Sequence, residues 1–309
     1  MQTTLRSDTT EVNIRTEGPI VVIGEKINPT GRKMLAEEMQ AGRFDYVSEL
    51  AAAQVAAGAD VLDINVCVPG LDEVALLADV VKVVSSKVNV PLCIDSANPK
   101  AIAAALPVAP GKPLVNSVSG QGTLLREMLP IVKESGAVVI GLTMDEKGIP
   151  NEPHGRLAIA ARILNHATRI GIPANDVVID PLVMAAGTDQ KTVKVTLKTI
   201  ELVAQELGVN IIIGASNVSF GLPARHTVNQ AFLALAAAAG ANCVITDPMK
   251  FTALIRATDL LLGRDSYAKS YIRHCRAHSQ RMSDEAFASI ERSKSTLCAG
   301  IRGVGVLSE

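Results

Sequence analysis

Apolar positions in this chain fall into two alternating textures. Short runs dominated by Val and Ile end on a polar residue and a Gly or Pro: 19–25 PIVVIGE, 59–66 ADVLDINV, 91–96 PLCIDS, 113–118 PLVNSV, 137–144 AVVIGLTM, 176–181 DVVIDP, 210–217 NIIIGASN and 241–248 ANCVITDP. Between them lie segments rich in Ala, Leu, Glu and Lys with apolar residues three or four apart, as in 43–57 RFDYVSELAAAQVAA and 191–208 KTVKVTLKTIELVAQELG. The runs start 40, 32, 22, 24, 39, 34 and 31 residues apart, which is strand–helix repetition. Their apolarity is continuous rather than alternating, so it predicts strands covered on both faces, as in a parallel sheet. Gly58, Gly136 and Gly240 each precede an Ala that opens a strand, the position at which a left-handed glycine ends a helix and turns the chain back.

Eight such units, with no GxGxxG after the first strand, predict an α/β fold of the (β/α)8 TIM-barrel type rather than a doubly wound sheet. Residues 1–18 read as a short lead-in, a hairpin that could plug the N-terminal mouth of the barrel. Residues 264–309 read as one or two charged helices. No linker divides the chain, so the expected organisation is a barrel over 1–263 that includes the lead-in, with 264–309 as a C-terminal helical extension of the same domain.

Composition narrows the function classes. The chain has 309 residues, 48% of them hydrophobic and 20% charged, and a formal charge of −1 gives it no basic field for nucleic acid or an anionic membrane. Five Phe, three Tyr and no Trp leave 3% aromatics, too few for functions built on aromatic stacking platforms. The five cysteines, at 67, 93, 243, 275 and 298, form no metal-binding spacing and read as reduced thiols. No apolar leader or membrane-length run is present in the sequence, which makes a cytoplasmic protein the expectation.

In a TIM barrel the chemistry sits at the C-terminal ends of the strands. The residues that close the runs there are Glu25 and Asn28, Asp63 and Asn65, Asp95 and Ser96, Asn116 and Ser117, Thr143, Asp180, Ser216 and Asn217, and Asp247. Asp63 and Asn65 lie two apart and share a face of their strand. Burying so many amides and carboxyls unpartnered would cost a few kcal/mol each, so they must satisfy one another, water or a ligand. The set is rich in Asp and Asn and poor in bases, which suits a neutral, donor-rich heterocycle. A helix N-cap or a polar barrel layer is the other reading for each carboxylate. Gly120-Gln121-Gly122 reads either as a small phosphate turn or as an ordinary loop, with no partnering base beside it.

Taken in order, GEKIN (24–28), LDINV (62–66), CIDS (93–96), NSVS (116–119), GLTM (141–144), IDPL (179–182) and SNVSFGLPAR (216–225) resemble the pterin-binding methyltransferases that move a methyl group between tetrahydrofolate and a corrinoid protein. The resemblance spans roughly residues 19–263. It implies that Asp95, Asn116 and Asp180 hold the pterin ring: a carboxylate accepts two N–H donors of its 2-amino-4-oxo edge, and an Asn supplies a donor and an acceptor. Asp63 and Asn65 would support these groups, with Ser96 and Glu25 also at the ligand. Asn217 would lie near pterin N5, where an amide can bond both the protonated and the unprotonated nitrogen and strengthen that bond in the transition state. Arg225 would steady the folate tail or meet the partner.

The resemblance further implies 5-methyltetrahydrofolate or tetrahydrofolate as substrate and no resident metal. The cobalamin would be carried by a separate corrinoid protein, since the chain has no DxHxxG-type motif and the tail is too short for a cobalamin domain. A homodimer is expected, with the apolar 230–240 and 252–262 helices as candidate contacts, although a core-facing role explains them equally well. O-demethylation or acetogenesis is the implied setting. The rivals are a dihydropteroate-synthase-like condensing enzyme, which would need Lys and Arg late in the barrel where this chain has Ser-Asn-Val-Ser, and a non-catalytic folate-binding protein.

Overall fold

In the computed structural model, which describes residues 1–189 and 191–277, all eight runs become parallel strands of one sheet. They are β3 (Val21–Ile27), β4 (Val61–Asn65), β5 (Leu92–Asp95), β6 (Leu114–Ser119), β7 (Val138–Leu142), β8 (Val177–Asp180), β9 (Ile212–Gly214) and β10 (Cys243–Thr246). Each neighbours the next, and β10 returns to β3 with Cys243 opposite Val21. The remaining seam closes through a parallel bridge between Ile179 and Ile211, with the Ile179 N–H donating to the Asn210 carbonyl at 2.9 Å. The fold is a TIM barrel.

Helices fill the intervals: α1 (Lys33–Gln40), α2 (Asp45–Ala56), α3 (Glu73–Lys87), α4 (Pro99–Ala105), α5 (Gly122–Ser135), α6 (Pro153–Arg169), α7 (Thr192–Leu202), α8 (Arg225–Ala239) and α9 (Pro248–Leu261). Asp72, Asn98 and Asp247 cap α3, α4 and α9 through their side-chain oxygens, and Pro at the first turn pre-sets α4 and α9. Gly58 (φ 96°) and Gly136 (φ 68°) take the left-handed backbone that their position before a strand predicts.

The alternation of each strand divides the core in two. Outward residues such as Val22, Leu62, Ile94, Val115 and Val139 pack under the helices in one large cluster. Inward residues, among them Val21, Ile23, Val61, Cys93, Leu114, Val138, Val178 and Ile212, fill the barrel, and Leu5 and Ile14 join them. These last two come from the antiparallel hairpin of β1 (Gln2–Arg6) and β2 (Glu11–Arg15). Thr3 Oγ1 donates to the Asn175 carbonyl at 2.6 Å, and Asn210 Nδ2 donates to Thr3 Oγ1 at 2.8 Å and to the Ile14 carbonyl at 3.0 Å. The lead-in thus plugs the N-terminal mouth with two aliphatic side chains and leaves the other mouth for polar groups.

Residues 269–277 are helical, in line with the expected C-terminal extension. The segment from residue 278 on, Cys298 included, lies outside the described residues. No helix among the described residues is long and apolar enough to cross a membrane.

Candidate functional site

Strand register gathers the polar strand ends. Asn65 stands opposite Asp95 across β4 and β5, and Asp95 opposite Asn116 across β5 and β6, all facing inward above the aliphatic layer. Asn65 Nδ2 donates to Asp95 Oδ2 at 3.0 Å, while Asn65 Oδ1 is held by the Cys67 N–H at 2.9 Å. Asn116 Nδ2 donates to Asp63 Oδ1 at 3.2 Å. Asp180 Oδ1 accepts the Leu182 N–H at 2.7 Å, and Ser216 Oγ donates to Glu25 Oε1 at 2.8 Å. Each of these amides and carboxyls therefore has at least one fixed partner, and Asn65 has two. Asp95 Oδ1, Asn116 Oδ1 and Asp180 Oδ2 have none among the described residues, so the ring presents a row of open acceptors to the mouth.

Burial shapes the charge of this ring. It raises Asp180 to about 7 against the opposing pull of the Leu182 N–H and Arg156, and raises Asp95 to about 6 despite the Asn65 bond. Asp63 is pushed well above the usual carboxylate range by burial and by the neighbouring Asp95. Glu25 is raised too, chiefly by burial. Asp63 and Asp95 side by side at low dielectric resist ionising together, which favours a proton on the more deeply buried Asp63, whereas burial brings Asp180 near neutrality. Such acceptors gain most from a ligand that brings its own N–H donors.

Asn217 stands on the 3-10 turn Ala215–Ser219 after β9. Its side chain is exposed, makes no hydrogen bond to another described residue, and lies over Gly214, where an added Cβ would come within 3.3 Å of Nδ2. Arg225 clasps this turn from below: Nε donates to Ser219 Oγ at 3.0 Å and Nη2 to the Ser216 carbonyl at 2.7 Å. The expected tail-binding arginine is thus engaged in holding the Asn217 turn.

Other expected residues fall elsewhere. Ser96 donates to Glu73 Oε1 at 2.5 Å and accepts the Asn98 N–H at 3.0 Å, so its hydroxyl ties the starts of α3 and α4 together and is not brought to the ring. Asp247 caps α9 and pairs with Lys26 Nζ at 2.9 Å, and Asn28 Oδ1 accepts the Thr30 N–H in a local turn. The Thr143 hydroxyl is buried without a partner among the described residues. At Gly120-Gln121-Gly122 the Gly122 N–H is taken by Glu146 Oε1 at 2.7 Å, which fits an ordinary loop.

Two supporting residues escape a reading of strand ends. Arg156, 2% exposed on α6, donates to the carbonyls of Pro150, Pro181 and Leu182, and so fixes the loop that aims Asp180. Gln54, fully buried on α2, accepts the Lys26 N–H at 2.8 Å behind Glu25. Both carry the same signal, a polar side chain on the buried stripe of a helix.

A family profile described as "Pterin binding enzyme" matches residues 24–247. The methylcorrinoid:tetrahydrofolate methyltransferase of Eubacterium limosum is 33% identical over 264 residues, which covers 82% of this chain and 94% of that protein. Methionine synthase of Mycobacterium tuberculosis is 29% identical over 260 residues, covering 80% of this chain but only 22% of the synthase. Among solved structures, 7,8-dihydropteroate synthase from Vibrio fischeri superposes with a TM-score of 0.66 at 17% identity, over 85% of this chain and 99% of that one. The Yersinia pestis dihydropteroate synthase with a pterine-sulfa conjugate gives 0.65 at 16%, over 84% and 98%. At such identity the two structures speak for the fold alone.

Proposed function

The chain belongs to the pterin binding enzyme family, and from that premise we propose that it is a methyltransferase acting between N5 of tetrahydrofolate and the cobalt of a corrinoid carried by a separate protein. The observation that carries this reading is the pairing of the open acceptor row at Asp95, Asn116 and Asp180 with the unbonded amide of Asn217 at the rim. In this reading Asp180 and Asp95 accept the amino and ring N–H groups of the pterin, and Asn116 presents its carbonyl beside them. Asp63 and Asn65 act through these two, each fixing one amide or carboxyl so that the remaining lone pairs point at the ring. Glu25, tied to Ser216, and Ser96, tied to α3 and α4, lie behind this contact set.

The corrinoid supplies the cobalt that carries the methyl. The chain itself supplies position. The pterin is pinned edge-on by the acceptor row, N5 is held at the rim where another protein can reach it, and Asn217 bonds N5 whether or not that nitrogen carries a proton. Transfer to tetrahydrofolate forms one N5–C bond, breaks one C–Co bond with its electron pair left on cobalt, and releases the N5 proton. The reverse follows the same path. The name of the Eubacterium limosum relative supports tetrahydrofolate as acceptor; the O-demethylation or acetogenic setting, in the cytoplasm, rests on the resemblance of the strand-end motifs alone. A condensing enzyme of the dihydropteroate synthase kind is less well supported, because the turn after β9 carries Ser216-Asn217-Val218-Ser219 and no Lys or Arg.

The test is spectroscopic. Purified protein mixed with tetrahydrofolate and methylcob(III)alamin, or with methyltetrahydrofolate and cob(I)alamin, is expected to change the visible corrinoid spectrum, and faster with a corrinoid protein than with free cobalamin. No change with either pair, free or protein-bound, sinks the methyltransferase reading.

A further inference from the structure

Strand β3 breaks register with its neighbour near the mouth. Gly24 pairs with Leu62 and Ile27 with Ile64, so Glu25 and Lys26 together stand opposite Asp63, a bulge of one extra residue. The extra residue changes the side on which the strand ends. Val21 and Ile23 point into the barrel and strict alternation would send Ile27 there too, yet Ile27 packs with Val22 under the helices. Two consecutive polar side chains thereby reach the mouth where a regular strand would deliver one. Glu25 Oε1 accepts the Ser216 hydroxyl at 2.8 Å, and Lys26 Nζ pairs with Asp247 at 2.9 Å.

A bulge leaves a backbone group without its ladder partner, and here that group is served from outside the sheet. The Lys26 N–H donates to Gln54 Oε1 on α2 at 2.8 Å, and the Lys26 carbonyl accepts from Arg32 Nη1. With Nζ on Asp247, all three polar groups of Lys26 are engaged, which holds the bulge in one shape. Gly24 makes room for this, since a Cβ there would lie 2.5 Å from Gln54 Oε1. The other end of the same amide is unused: Gln54 is fully buried and its Nε2 has no partner among the described residues. A methionine at this position would bury no orphan donor, so the amide costs the fold stability and what it contributes lies in its oxygen.

We infer that Gln54 is a positioning residue for methyl transfer: it sets the β3 bulge that aims Glu25 at Ser216, and Ser216 seats the turn that carries Asn217. The inference rests on the methyl-transfer reading above. Asn217 follows Ser216 directly, and Ser216 is held at two points, its hydroxyl by Glu25 and its carbonyl by Arg225 Nη2 at 2.7 Å. Loss of the Gln54 oxygen leaves the Lys26 N–H unpaired. The strand relieves that by letting the bulge shift, which carries Glu25 away from the Ser216 hydroxyl and loosens one of the two holds on the turn. Asp95, Asn116 and Asp180 stand on β5, β6 and β8, none of which adjoins β3, so the acceptor row stays in place. The effect falls on the rate and spares folate binding.

The experiment measures methyl transfer by the full chain with tetrahydrofolate and methylcob(III)alamin, recording kcat, KM for tetrahydrofolate and Tm. Gln54→Met removes the oxygen and nearly keeps the volume. It is expected to lower kcat about tenfold, to move KM less than about twofold and to shift Tm by less than about 4 °C. Ser216→Ala, at the half-buried far end of these contacts, puts no buried helix at risk and is expected to give the same split of kcat against KM. Adding Gln54→Met to Ser216→Ala is expected to lower kcat by less than about a further twofold, because both variants release the same hold. A wild-type kcat in either single variant, a change confined to KM, or losses that multiply in the double variant overturns the positioning role. So does a collapse of Tm in Gln54→Met, which makes the amide a folding group. Wild-type protein that transfers no methyl overturns the methyltransferase reading itself, a result distinguishable from the others.

Discussion

At the scale of single residues the site divides its labour between groups that bind and one that follows the reaction. Asp180 offers a buried acceptor that no described side chain completes, whereas Asn217 stands exposed with an amide free to reverse its bonding. Asp180→Ala is thus expected to abolish most pterin binding, and Asn217→Ala to lower the methyl-transfer rate by about a hundredfold with a smaller change in folate affinity. Single-turnover rates beside equilibrium titrations check this, and the opposite pattern would exchange the two roles. Asp180 also links binding to pH. Its pKa of about 7 lies above the value of about 3.9 for an unfolded Asp, so the folded protein holds the extra proton between those values and its stability falls as pH rises through that window. A pterin that donates N–H bonds favours the carboxylate form. Binding near pH 6 is therefore expected to release protons and to strengthen as pH rises toward 7, and titration calorimetry in buffers of different ionisation enthalpy measures the release. Proton uptake, or none in both wild type and Asp180→Asn, would contradict the assignment.

At the scale of elements the Ala215–Ser219 turn shows what the sequence could and could not disclose. SNVSFGLPAR marks the turn, and the inward alternation of each strand marks Asp63, Asn65, Asp95, Asn116 and Asp180, because a period of two fixes which side chains share the barrel interior. Bonds across unrelated segments carry no such periodicity. The clasp from Arg225 onto Ser216 and Ser219, the diversion of Ser96 toward Glu73, and the brace from Arg156 to the loop after β8 all join residues whose closeness only the folded barrel creates. This assigns the turn its own test. Gly214→Ala places a methyl 3.3 Å from the Asn217 amide, and Arg225→Lys keeps the charge but loses the two-pronged hold on Ser216 and Ser219. Both variants are expected to lower kcat by about tenfold while KM for folate moves little, since the acceptor row is untouched. A change confined to KM would return Arg225 to tail binding.

At the scale of the whole molecule the barrel was readable from its eight apolar runs and the glycines before three of them, and residues 1–18 as a lead-in that could plug the mouth, whereas which side chains plug it, Leu5 and Ile14, only the fold shows. What patterning leaves open is how the outside of the barrel is covered. The apolar 230–240 and 252–262 helices bury Phe232, Leu233, Ala236 and Ile255 against the core, yet Leu235 is 54% and Leu261 86% exposed, with Leu260 and Leu262 also in solvent. Apolar surface of this kind on neighbouring helices is more costly to hydrate than to pair. The homodimer expected from the resemblance would use these leucines, and an isologous contact could set Leu235 of each copy against Leu261 of the other. Sedimentation equilibrium is expected to give a dimer for the wild type and a monomer for Leu235→Glu combined with Leu261→Glu. The acceptor row and the Asn217 turn lie within one chain, at the C-terminal mouth. The monomeric variant is accordingly expected to retain methyl transfer per chain, and a wild type that sediments as a monomer would leave those leucines to another partner.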